Sequence, residues 1–339
     1  MKTDFSGAYP VLQRITLVSL LLGVLLLVSA FLGVAIGSTD QSLWRILSVL
    51  IGHANRFPTL STIILKIRLP RVVLAALVGA TLSLGGLVFQ ALLGNPLAEP
   101  YILGISGGSA VGAIIGILLG FSPFPGMALL AFAGSMATLS LVLLIATSRY
   151  AVKKDSLILA GVMVNAFCGS IIMFLISITR NSRMHTILFW LMGDLSSADF
   201  HRMPLLLAVL LPCFAIIFLL ARPMNILLLG EEAARNMGVD VRIVSLALLV
   251  VTSLMVSVVV CQTGLLGFVG LVMPHLLRLL FGADHRVLVP ACILGGGAFL
   301  ILCDLLARSL PAQGEMPVGV ITAMFGAPIF ILLLWRSGL

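Results

Sequence analysis

Charge is scarce in this chain. Only 9% of its 339 residues are Asp, Glu, Lys or Arg, against 60% hydrophobic residues. That balance excludes a water-soluble domain, which would need far more polar surface to cover itself. Strand-length alternation of apolar and polar residues is missing as well, so a membrane β-barrel is not supported. No Gly-x4-Gly-Lys-[Ser/Thr] occurs, so the chain has no P-loop, and any ATP hydrolysis that drives it belongs to another chain. The five cysteines, at 168, 213, 261, 292 and 303, lie in or at the ends of apolar segments without CxxC spacing. They read as small buried hydrophobes, not as disulfides or metal ligands. The five histidines show no HExxH or other ligand spacing, and no nucleophile–base arrangement for an intramembrane hydrolase is visible. A pair of carboxylates at membrane depth is also missing, which argues against a proton-coupled secondary transporter.

What the chain has in abundance is hydrocarbon. Apolar runs long enough to cross a bilayer recur from residue 15 to residue 335, which makes this an all-α polytopic membrane protein of one transmembrane domain, 1–339. The pattern predicts about ten helices, near 15–37, 69–93, 102–120, 127–147, 157–179, 203–221, 241–262, 271–281, 287–307 and 317–335. The first run is too long for the apolar core of a signal peptide and fits a retained span. The run at 271–281 is too short to span unless its ends are buried in protein. Between 179 and 203 the sequence suggests a short helix around 187–192 lying at the membrane interface. Lysines and arginines divide almost evenly between the two sides; the 149–154 cluster and the 222–242 loop favour both termini on the cytoplasmic side. The formal charge of +8 suits anionic lipid or an acidic partner better than nucleic acid.

One polar island breaks the hydrocarbon, a loop at 225–241 between the sixth and seventh spans. Within it Gly230 and Gly238 bracket Glu231, Glu232, Ala233, Ala234, Arg235 and Met237, a run of good helix formers closed by a helix-ending glycine. Acidic residues stand at the helix start, and Glu231 precedes Arg235 by four residues, the favourable order for an ion pair. This is a short exposed helix that something else must contact. Elsewhere, Gly108, Gly112, Gly116 and Gly120 draw a ridge down the third span, which lines a pore or, by the simpler reading, packs closely on a neighbour. Asn165 is a polar side chain at mid-membrane, facing a cavity or bonding another helix. Asp304 lies one turn before Arg308 and suits it as an ion-pair partner.

Several stretches, in order, resemble the FecCD-type permeases of binding-protein-dependent ABC importers for iron–siderophore complexes, haem and vitamin B12. They are Leu69-Pro70-Arg71, Gly94-Asn95-Pro96-Leu97-Ala98-Glu99-Pro100 with Leu103 to Gly108, and Trp190-Leu191-Met192-Gly193. Next come Gly264 to His275, Asp284-His285-Arg286, Pro317 to Ala323 and Gly326-Ala327-Pro328. The resemblance spans about 65–335. It implies a homodimer with the path between the copies, two separate ATPase subunits that hold ATP and Mg, and an external binding protein, periplasmic or surface-tethered. It places the chain in the inner membrane, with no cofactor of its own and no covalent chemistry. By the same resemblance, Gly230 to Gly238 is the helix that docks into the ATPase. Arg68, Arg71 and Arg308 match arginines that pair with glutamates of the binding protein. Asn95 and Leu97 match a cytoplasmic gate whose second loop falls at 153–156. Asn165 stands where iron-complex members often carry asparagine and the B12 importer does not, which tilts the expected cargo toward an iron chelate.

Overall fold

The structure, a computed structural model, describes residues 10–37, 43–51, 56–146, 154–311 and 314–337. Among them seven helices are long and apolar enough to cross a membrane, and three shorter apolar helices complete a set of ten. The ten are α1 (Val11–Ala35), α3 (Pro58–Leu93), α4 (Ile105–Leu119), α5 (Ala128–Ala146), α6 (Lys154–Ser177), α8 (Met203–Leu219), α11 (Val241–Thr263), α12 (Val269–Phe281), α13 (His285–Ser309) and α14 (Val318–Ser337). Four shorter helices join or cap them: α2 (Leu43–Leu50), α7 (Asn181–Leu191), α9 (Ala221–Leu227) and α10 (Glu231–Asn236).

The second predicted span starts earlier than its apolar pattern indicates. Pro58 at the first helical position opens a run of 36 residues that continues through a π-helical turn at Ile63–Arg68 to Leu93. At 1.5 Å per residue that is about 54 Å, so its first part stands outside a hydrocarbon core of about 30 Å. Helix α2 is not among the predicted helices, because eight residues are too few to establish a period, although Ile46 and Val49 face inward at helical spacing and Trp44 outward.

The centre of the bundle is the pair α3 and α13, which cross with backbones touching. A Cβ added at Gly296 would lie 2.4 Å from Ser83 Cβ and 2.5 Å from Gly79 O. The same device holds α3 to α12, where a Cβ at Gly86 would run into the Gly270 carbonyl. We therefore expect Gly86→Ala to cost at least about 1–3 kcal/mol through backbone displacement. The check is the thermal midpoint of the detergent-purified protein, which should fall by several degrees; an unchanged midpoint would contradict this packing.

The glycine ridge of α4 has the simpler of its two meanings. Gly108 and Gly112 face Gly134 O and Leu130 O of α5 so closely that a Cβ would sit 2.4 and 2.1 Å away. Gly120 is not part of the ridge; it ends α4 in the left-handed region at φ 78°. Helix α7 is also placed differently from expectation. It starts earlier, at Asn181, and runs to Leu191, with Ile187 and Trp190 buried and most of its other residues exposed. Gly193, just after it, accepts from Val318 N (3.1 Å), and Asp194 N donates to Thr263 O (2.7 Å). Glycines at 193, 264 and 319 leave the room for three chain segments to meet there.

The short α12 begins inside the protein, with Val269, Gly270, Leu271 and Val272 buried. That satisfies the condition under which so short an apolar helix is tolerated. All five cysteines are buried and free, and no group of three or more His, Cys, Asp or Glu suited to a metal exists among the described residues.

Candidate coupling and docking surfaces

The polar island forms α10, a six-residue helix whose entry is set by Gly230 at φ 103°. Its exit is a Schellman turn: Val239 N donates to Ala234 O, Gly238 N to Arg235 O, and Gly238 sits at φ 80°. The acidic start is as expected, but the Glu231–Arg235 pair is loose at 3.9 Å between exposed side chains, worth about 0.3–0.5 kcal/mol at most. Ala233 is partly exposed, whereas Ala234 is fully buried against its own chain. Glu232, Arg235, Met237 and Gly238 face outward. Sequence reasoning missed the exposure of Leu228 and Leu229, which with Met237 add apolar surface to this charged segment. The helix is too short to stand alone and leaves this mixed surface exposed.

Behind α10 lies α9, and its Asn225 reaches the start of α13. Asn225 Nδ2 donates to Asp284 Oδ1 (2.8 Å), and Asn225 Oδ1 accepts from the His285 backbone N–H (2.9 Å). Asp284 also caps α13 through Arg286 N and pairs with the Arg286 guanidinium at 2.7 Å. Burial works against the Asp284 carboxylate, but hydrogen bonds from Arg286 and Asn225 outweigh it and hold its pKa down to about 2.

At the other end of α13 the three arginines come together around a cavity of about 310 Å³, lined also by Gly314 and Glu315. None projects freely into solvent. Arg71 Nε donates to Asp304 Oδ1 at 2.8 Å and its Nη1 meets Glu315 Oε2 at 2.5 Å. Arg308 Nε lies 3.0 Å from Asp304 Oδ2, near enough to pair as ions though not aligned as a hydrogen bond. Arg308 also donates to Gly33 O, and Arg68 to Val34 O and Ala35 O, so both satisfy the open carbonyls at the end of α1. Asp304 thus serves two arginines where the sequence suggested one. Three guanidiniums and the carboxylates of Asp304 and Glu315 thus surround the cavity among the described residues.

Asn95 builds the turn after α3. Its Oδ1 accepts from Leu97 N at 2.8 Å, Gly94 takes φ 63°, and Leu97 is left exposed. Nearby, Tyr101 Oη both donates to Leu266 O and accepts from Leu266 N, each at 3.2 Å, tying this turn to the start of α12. Of the second gate loop, 153 lies outside the described residues. Asn165 is exposed on α6, among Met163 and Phe167, with its Oδ1 so near Gly107 that a Cβ there would sit 2.6 Å away.

Ten apolar helices, an exposed short helix at one end and an arginine-lined cavity at the other define a polytopic transport permease. The match to known proteins agrees. The chain belongs to the FecCD transport family, which covers residues 25–336. It is 39% identical over 325 residues to the uncharacterised ABC transporter permease protein YvrB of Bacillus subtilis, spanning 92% of this chain and 91% of that protein. It is 43% identical over 274 residues to the vitamin B12 import system permease protein BtuC of Salmonella arizonae, spanning 80% and 82%. Among solved structures, an inward-facing chain assigned to the metal-chelate type of ABC transporter superposes with a TM-score of 0.84 at 30% identity, over 95% of this chain and 99% of that one.

Proposed function

We propose that this chain is the membrane subunit through which a metal chelate enters the cell, working as a homodimer driven by two separate ATPase subunits. The observation that carries the reading is the pairing of the exposed helix at Glu231–Asn236 with the arginine cavity about one membrane thickness away along α13. ATPase subunits dock at α10 through Gly230, Glu231, Glu232, Ala233, Arg235, Met237 and Gly238, with Ala234 holding the helix to its own bundle. An external binding protein presents carboxylates to Arg68, Arg71 and Arg308. Asn95 and Leu97 close the cytoplasmic end, and Asn165 lies beside the path. The bare apolar face of α6, with Met163, Phe167 and Phe174 outward, supports a second copy packing there. The chain itself performs no covalent chemistry, and ATP with its Mg resides on the partners. Both termini lie on the cytoplasmic side of the inner membrane.

Three cargoes are in view, an iron–siderophore complex, haem and a corrinoid. Relatives named as vitamin B12 import permeases, at 41–43% identity over most of the chain, support a corrinoid. Asn165 favours an iron–siderophore complex. Proteoliposomes holding the dimer, its ATPase subunits and the binding protein should accumulate one of labelled cyanocobalamin, haem or a ferric siderophore when ATP is supplied. Abolition of uptake by an ionophore alone would overturn the ATP-driven reading in favour of an ion-gradient transporter. For the docking end, Arg68→Gln removes a charge while leaving an amide donor toward the α1 carbonyls. It should weaken binding-protein affinity about threefold to tenfold and flatten its salt dependence; unchanged affinity at low salt would remove Arg68 from the docking surface.

A further inference from the structure

The Asp284-His285-Arg286 stretch has no part in either surface, yet it is where the α10 segment is fastened to the bundle. We propose that Asn225 is the joint that transmits displacement of the coupling helix to the α3–α13 pair, and so to the gate turn and the arginine cavity together. This rests on the importer reading given above. Asp284 as a carboxylate can only accept, so Asn225 must present Nδ2 to it and Oδ1 to His285. Oδ1 lies 2.7 Å from His285 Nδ1 as well, which fixes the proton on that nitrogen. One amide therefore clamps two consecutive residues at the start of α13, and His285 is fully buried there.

The mechanical path is short on both sides of this clamp. Asn225 is six residues before Glu231, and α9 is anchored by buried Ala221 and Met224. Beyond it, α13 is 25 residues long and carries Asp304 and Arg308 in its last turns. The close approach of Gly296 to Gly79 and Ser83 leaves α13 no freedom to slide without carrying α3. Helix α3 bears Arg71 just after its π-helical turn and leads into Asn95 at its C-terminal end. Asn225 is a positioning residue: it touches neither partner nor cargo, and acts by keeping two bodies in register.

The test uses the assembled transporter with its ATPase subunits and binding protein. Asn225→Asp sets a second carboxylate against Asp284 and should reduce binding-protein stimulation of ATP hydrolysis at least about fivefold, with smaller loss for Asn225→Ser. Asp284→Asn alone keeps an oxygen for the cap and for Asn225 but loses the Arg286 ion pair, and should reduce stimulation less than Asn225→Asp. The double variant Asn225→Asp, Asp284→Asn removes the like-charge pair and should recover part of the stimulation, which general damage to folding would not allow. Spin labels at exposed Ile243 and Leu310 add a structural readout. Trapping the ATPase with nucleotide should shift both intersubunit distances in wild type, but only the Ile243 distance in Asn225→Asp. A shift at Leu310 equal to wild type in both single Asn225 variants, with stimulation intact, overturns the joint. Absence of any stimulation in wild type overturns the importer reading and the proposal with it.

Discussion

Leucine at position 234 is expected to cut uptake about tenfold while ATP hydrolysis continues. Ala234 belongs to the helix predicted to meet the ATPase, but its side chain is wholly buried against its own chain and its carbonyl holds the closing turn through Val239 N. Three added carbons in a filled space cost about 1–3 kcal/mol. A six-residue helix is far easier to displace than the spans behind it, so α10 itself tilts, and the partner meets a misplaced surface. The ratio of substrate accumulated to ATP hydrolysed, measured in the same proteoliposomes, reads this directly. Ala233→Ser, at a partly exposed position, should alter the ratio little. Normal transport by Ala234→Leu would mean that the position of α10 does not govern coupling.

Much of this architecture is legible in the chain because a bilayer enforces simple rules. Each span must be a long apolar helix, so the spans announce themselves, and the one polar island stands out against them. What was not legible depends on partners distant in sequence. Arg71 and Arg308 read as outward-facing charges, since nothing local reveals that Asp304 lies between them or that Glu315 closes over Arg71. The four-residue spacing that links Asp304 to Arg308 is a helical rule, while its contact with Arg71 is 233 residues away in sequence. Asn225 gave no signal, because one asparagine in a loop gains meaning only from Asp284 and His285 opposite it. Ala234 was grouped with Ala233 on composition, and only the helix phase separates the inward from the outward alanine.

The largest effect on stability should come from Asp304→Asn. With side chains of Arg71 and Arg308 only 5% and 8% exposed, loss of the carboxylate leaves Arg71 with Glu315 alone and takes from the buried Arg308 its ion-pair partner. Breaking a buried pair in this way costs about 3–5 kcal/mol, enough to remove most folded protein after detergent extraction, as gel filtration would register. Glu315→Gln should change stability by only about 0–1 kcal/mol, since its side chain is half exposed. The paired replacement Arg71→Met with Asp304→Leu removes charge from both sides at once. It should regain part of the lost stability, with Arg308 keeping the Gly33 carbonyl. That variant separates two roles that a single arginine substitution confuses. If the refolded pair binds the external protein as tightly as wild type, Arg71 is structural, and docking rests on Arg68 and Arg308. If the chain is stable but binding falls tenfold or more, the buried pair exists to hold Arg71 ready at the cavity floor, and its cost in desolvation is the cost of the docking site.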